Sequence, residues 1–288
     1  MRYRMVRIGI VTLIALVLST GLRAEEVDLE LVLAVDVFTS IDDNEFTLQR
    51  RGYAQALTNP SVIEAIRSGP NHKIAVAYVE WATTDSQVLV VPWTVVSDDE
   101  SAALLSETIL NAPRYLRGWT SISGAIDFSM HVFAESPHTS GRRVIDISGD
   151  GVNNSGRPAT DARDEALADG VTINGLVIMN DIPSPTAYWR PDPPLDEFYR
   201  DYVTGGPGAF VVAADGFPAF AQAILNKLIR EIAEIPSARQ PDFIALDDTT
   251  WRQHHSSVIA LRDRTSSRRR TSPSRRRSLG AGSRSSRP

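Results

Sequence analysis

Residues 29–37 read Leu29-Glu30-Leu31-Val32-Leu33-Ala34-Val35-Asp36-Val37. The run is almost continuously apolar, broken by one acid near its start and another near its end. Strict alternation would describe a strand with one wet face. A continuous run describes a strand with protein on both faces, as in a parallel sheet. Ser40-Ile41-Asp42-Asp43 follows, with a capping side chain and early acids, which marks a helix start. Phe46, Gln49, Tyr53, Ala56 and Leu57 then recur at helical spacing.

Working outward, the alternation continues along the chain. Val62, Ile63 and Ile66 predict a second, short helix. Strands are expected over 73–81 and 88–96, and the link between them is short enough for a hairpin, so one sheet edge should be antiparallel. Ser97-Asp98-Asp99-Glu100 opens a helix that runs to about Asn111. A loop over 114–119 leads to a helix over 121–133 and a short strand over 143–147, closed by Ser148-Gly149-Asp150-Gly151. A helix over 160–169, stopped by Gly170, precedes a strand over 171–178. Residues 181–207 are rich in proline and aromatics and leave room for a short helix at 195–203. Their length points to a functional loop. A strand over 209–212 and a helix over 217–232 complete the pattern. The fold class is therefore α/β: a doubly wound, mostly parallel central sheet of about six strands, one edge antiparallel, with helices on both faces.

The 288 residues carry a formal net charge of -5, which is the sum of three unlike parts. Residues 1–24 contribute +4, residues 262–288 contribute +9, and the remainder carries -18. A globally basic nucleic-acid binder is excluded. The absence of cysteine excludes disulfides, thiolate metal sites and a cysteine nucleophile.

The first segment reads as a secretory signal peptide. Arg2, Arg4 and Arg7 precede an apolar run over 8–18, shorter than the ~20 residues of a membrane span, and small residues up to Ala24 suit cleavage. A periplasmic or secreted location follows. The composition shifts near Ile235-Pro236, and residues 236–288 read as a linker and a disordered Ser/Arg-rich tail, with Arg268-Arg269-Arg270 and Arg275-Arg276-Arg277. Such a tail can touch nucleic acid or an anionic membrane surface. The middle segment, 25–235, is the folded domain.

In doubly wound sheets ligands sit at the carboxyl ends of the strands. Three oxygen-bearing segments fall there: Asp36-Val37-Phe38-Thr39-Ser40, Gly118-Trp119-Thr120-Ser121 and Ser148-Gly149-Asp150-Gly151. Hydroxyls and carboxylates without histidine or cysteine suit a hard cation such as Mg²⁺. These segments resemble the metal-ion-dependent adhesion site (MIDAS) of the von Willebrand factor type A (vWFA) domain, which runs Asp-x-Ser-x-Ser, then Thr, then Asp. Asp36, Ser40, Thr120 and Asp150 match in order. Residues 27–36, 78–81, 120–127 and 148–154 are similar, more closely, to a family of secreted bacterial proteins of unknown function with this fold.

The resemblance implies a site for Mg²⁺ or another divalent cation at Asp36, Ser40, Thr120 and Asp150, completed by an Asp or Glu carboxylate of a protein partner. It implies no small-molecule substrate. One departure stands out: the family's first Ser falls on Phe38, which has no oxygen to offer. Two readings follow, a weakened metal-dependent binding module and a metal-independent interaction domain that uses Phe38 as an apolar contact. Trp119, Asn153, Tyr188 and Trp189 flank the same edge as candidate partner-binding residues. Enzyme readings find little support. Asp146, Ser148 and the scattered histidines lack a Gly-x-Ser-x-Gly elbow, and the first strand is followed by no glycine-rich phosphate loop.

Overall fold

The computed structural model describes residues 24–37, 41–115, 119–179 and 193–233. The chain divides into two units, Met1–Ala238 and Arg239–Pro288, and every described residue belongs to the first. The expected signal segment, apart from Ala24, and the basic tail lie outside the described residues. Among those described, no helix is long and apolar enough to cross a membrane.

The strands are β1 (Glu25–Glu26), β2 (Glu30–Asp36), β3 (Ile74–Trp81), β4 (Gln87–Val96), β5 (His138–Thr139), β6 (Arg143–Gly149), β7 (Val171–Met179) and β8 (Val211–Asp215). The helices are α1 (Asp43–Leu57), α2 (Pro60–Ser68), α3 (Asp99–Asn111), α4 (Ile122–Ala134), α5 (Ala159–Ala168), α6 (Leu195–Phe198) and α7 (Gly216–Ile232). Six strands form one sheet in the order β4-β3-β2-β6-β7-β8. Its pairs are parallel except β3–β4, the expected antiparallel edge. Pro92 sits on that edge strand and is exposed, where its missing N–H costs no ladder bond.

Two details differ from the expectation. The last strand begins at Val211 rather than 209. The short helix at 195–203 is α6 followed by a wider π turn, Tyr199–Val203. β1 and β5 form a separate two-residue parallel pair, Glu25 opposite His138, too short to leave a periodic signal.

Local chemistry explains the helix starts. Asp42 accepts from the backbone N–H of Asn44 and Glu45 at 2.7 and 2.9 Å, while Glu45 returns a bond to the Asp42 N–H, a reciprocal capping box. Asp98 and Ser101 repeat the device on α3, and Asn59 caps α2 ahead of Pro60.

All seven residues of β2 are buried. Its odd positions join a core cluster with α1, α2, α3 and α7. Its even positions join a second cluster with α4, α5 and the segment around Tyr199. The molecule is thus a helix–sheet–helix sandwich with β2 at its centre. α1 and α7 approach at Gly52, where a Cβ would lie 2.7 Å from the Phe220 ring. The helical cost of a mid-helix glycine, about 1 kcal/mol, is accepted so that Phe220 can reach Tyr53 (centroids 5.5 Å apart).

One polar cluster lies inside the first core. Lys227 on α7 is fully buried and pairs with Glu231 one turn on and with Asp146 of β6 at 2.7 Å. Asn174 donates to Glu231 at 2.9 Å. Burial, reinforced by the Asp146 charge, pushes the Glu231 carboxyl up from 4.5 to about 7. Burial also raises Asp146, against the pull of Lys227. Two acidic side chains thus share one buried cation.

Between pH 4.5 and 7 the unfolded Glu231 has lost its proton and the folded one retains it. This group therefore lowers stability as pH rises through that window. Glu231→Gln should make that fall shallower in denaturant titrations at pH 5 and 7.5. Lys227→Met should cost about 3–5 kcal/mol, because it leaves both carboxyls without a counter-charge.

Candidate metal centre

The sheet order places β2 and β6 side by side with their onward connections leading in opposite directions, β2 toward β3 and β6 toward β7. This is the topological switch point, and the crevice opens at the carboxyl ends of these two strands. Asp36 is the last residue of β2 and is fully buried. Gly149 closes β6 on the same face, and half-buried Asp150 follows it. A Cβ built on Gly149 would lie 3.1 Å from Asp36 Oδ2, so the two strand ends meet at this glycine.

The third oxygen comes from the segment before α4. Thr120 is buried and held by its backbone: its N–H donates to Asn154 Oδ1 at 3.1 Å, and its carbonyl accepts from the Asn154 N–H at 3.0 Å. Gly151 lies against the Thr120 hydroxyl, with a Cβ position 3.5 Å from Oγ1. Neighbouring bonds knit the same loops. Asn153 Oδ1 accepts from the Ser123 N–H at 3.1 Å, and its Nδ2 donates to the Arg157 carbonyl at 2.9 Å. Ser121 caps α4 through the Gly124 N–H and donates to the Ser155 carbonyl. The loop after β6 and the start of α4 therefore form one rigid unit that presents Thr120 beside Asp150.

Of the residues expected at the site, Asp36, Thr120 and Asp150 come together. Phe38, Ser40, Tyr188 and Trp189 lie outside the described residues. Asn153 lies at the edge, with its amide engaged within the fold. Trp119 is 67% exposed, next to Thr120 in the chain. Ser148 and Asp146 point to the opposite face: Ser148 accepts from Tyr53 at 3.0 Å, and Asp146 pairs with Lys227.

Two residues escaped the sequence reading. Arg114 donates to the carbonyls of Val37 (3.4 Å) and Ile41 (2.9 Å) and pairs with Asp43 at 2.8 Å. It thus ties Val37, just after β2, to Ile41, just before α1. Its guanidinium lies 4.5 Å from the Phe46 ring centroid, and that of Arg50 lies 4.4 Å from it. Arg50 also pairs at 2.7 Å with the buried Glu80 of β3, whose carboxyl burial nonetheless holds above its usual range.

The second is Tyr199, fully buried in the π turn. The Cβ position of Gly149 is 2.6 Å from its hydroxyl oxygen. Burial first, then the charges of Asp36 and Asp150, raise its phenol well above the usual value, so it stays neutral. Neither residue had a motif beside it.

The oxygens gathered here are those of two carboxylates and a hydroxyl, with the neutral Tyr199 phenol beside them. Among the described residues there is no group of three or more His, Cys, Asp or Glu side chains fit to hold a metal. An all-oxygen set fits a hard cation that keeps water in its shell, and not a thiophilic one.

The chain matches the family described as "Protein of unknown function (DUF1194)" over residues 26–236. It belongs to that family. Comparison with curated proteins gives no match. This DUF1194 chain has the von Willebrand factor type A fold. It is similar to the pilus adhesin SpaC of Lactobacillus rhamnosus GG in its open conformation (TM-score 0.53, 16% identity, 72% of this chain and 30% of that one). It is also similar to proximal thread matrix protein 1 from the mussel byssus (0.50, 16%, 73% and 46%). A third similar structure is a von Willebrand factor type A protein from Catenulispora acidiphila (0.50, 16%, 72% and 42%). The chain spans less than half the length of each.

The glycine floor predicts an asymmetry. Gly149→Ala sets a methyl against the buried Tyr199 hydroxyl and should lower stability by about 1–3 kcal/mol. Gly151→Ala makes only ordinary contact and should stay within about 0.5 kcal/mol. Chemical denaturation of both variants checks this.

Proposed function

We propose that this DUF1194 domain is an exported protein-binding module of the metal-ion-dependent adhesion type. In this reading residues 1–24 are a signal peptide, 25–235 the binding domain and 236–288 a linker and basic tail, and the product is periplasmic or secreted. Asp36, Ser40, Thr120 and Asp150 hold Mg²⁺ or another divalent cation. The cation offers a position to an Asp or Glu carboxylate of a protein partner, and Trp119, Tyr188 and Trp189 add contacts. The supporting observation is the convergence of Asp36, Thr120 and Asp150 at the switch point. One similar structure, the mussel thread matrix protein, carries zinc in its MIDAS motif (TM-score 0.50, 14% identity), and another is a pilus adhesin. The reading assigns the domain no catalysis and no small-molecule substrate, since it calls on no nucleophile or general base.

Charge sets the terms of such binding. The -18 body repels an acidic partner at long range. Screening confines that repulsion to about 8 Å at physiological ionic strength. Within that distance the cation's own charge governs, so capture should depend on metal and be modest in strength. Phe38 weakens the site by removing an oxygen. A second reading, metal-independent binding by an apolar edge, draws on the exposed Trp119 beside Thr120.

Calorimetric titration with Mg²⁺ should show binding at least about 10-fold tighter in Phe38→Ser than in the unaltered chain. Equal, tight binding in both would remove the weakened-site reading. Capture of partners on the mature domain should be lost with a chelator and in Asp36→Ala. Capture that survives both favours the second reading.

A further inference from the structure

The Tyr199 hydroxyl is a buried donor without a hydrogen-bond partner among the described residues. The ring and hydroxyl lie where two glycines leave room for them. On β7 the Cβ position of Gly175 lies 3.1 Å from Tyr199 Cδ1, and on neighbouring β6 that of Gly149 lies 2.6 Å from the hydroxyl oxygen. Two glycines on adjacent strands thus form a trough across the sheet, one beneath the ring and one beneath the hydroxyl. The trough delivers the oxygen to the side of Gly149 where Asp36 Oδ2 stands at 3.1 Å from the same Cβ position.

A phenylalanine would fill this trough equally well. It would also spare the ~1–3 kcal/mol that an unsatisfied buried hydroxyl costs. The hydroxyl therefore needs an account that packing does not supply. Asp36 Oδ2 and the hydroxyl oxygen stand against the same Gly149 position, and the carboxylates of Asp36 and Asp150 are the charged groups acting on the phenol. A buried hydroxyl beside carboxylates at a strand end suits a water that arrives with a cation.

We infer that Tyr199 is a further binding residue of the centre: its hydroxyl hydrogen-bonds a water that a divalent cation carries into the crevice between Asp36 and Asp150. The inference rests on the metal reading above and adds to it a fourth described residue, from an element that carries none of the adhesion-site motif.

The test uses the mature chain and Tyr199→Phe, each also in the Phe38→Ser background so that weak binding stays measurable. Mg²⁺ is titrated by calorimetry, and thermal unfolding is followed without metal. In Tyr199→Phe the Mg²⁺ affinity should fall about 10–100-fold, while the midpoint without metal stays level or rises. In protein labelled with [¹³Cζ]tyrosine, one resonance that Tyr199→Phe lacks should shift as Mg²⁺ is added. If Mg²⁺ binds with equal affinity to Tyr199→Phe and its parent, the inference falls and the metal reading stands. An affinity unchanged together with a lowered midpoint assigns Tyr199 a packing role and also overturns the inference. Absence of Mg²⁺ uptake in both parents removes the metal reading and the inference with it.

Discussion

A strand with helices on both faces and hydrogen-bonded neighbours on both edges offers its residues one route to solvent, past its carboxyl end. β2 is such a strand. Every side chain from Glu30 to Asp36 is buried, and complete burial of each Val or Leu contributes about 1.5–3 kcal/mol relative to exposure. With no cysteine in the chain, this apolar centre does the work that cross-links perform elsewhere. It also decides where chemistry can happen. Asp36 is carried on a rigid rod to the mouth of the crevice, and β6, locked beside it in register, carries Gly149 and Asp150 to the same level.

The architecture was readable because its signals are local and repeated. The nearly continuous apolar run at 29–37, acids and hydroxyls at helix starts, and Gly170 as a stop each obey a rule that needs no partner in space. The expected α/β sandwich with one antiparallel edge is the observed one. The neighbourhood of the proposed site was readable as far as its oxygens sit at strand ends: Asp36 ends β2 and Asp150 follows β6, while Thr120 precedes α4.

What escaped has one physical cause: burial that only packing creates. Lys227 and Glu231 stand one turn apart on α7, and in sequence such a pair reads as a solvated surface bridge. Only the approach of β6 turns them, with Asp146, into a buried ionic cluster. Arg114 lay in a stretch expected to be mere loop, yet its guanidinium ties Val37 to Ile41. Tyr199 follows a proline-rich stretch with no periodicity, and its importance depends on two glycines on different strands. Such relations join residues far apart in sequence, where periodicity carries no information.

The glycine trough constrains its two positions unequally. A side chain at position 149 meets both the Tyr199 hydroxyl and Asp36 Oδ2, whereas a phenylalanine at 199 still lies over the bare glycine. Glycine at 149 is thus the condition for a hydroxylated ring at 199, and the bare position can outlast the hydroxyl it accommodates.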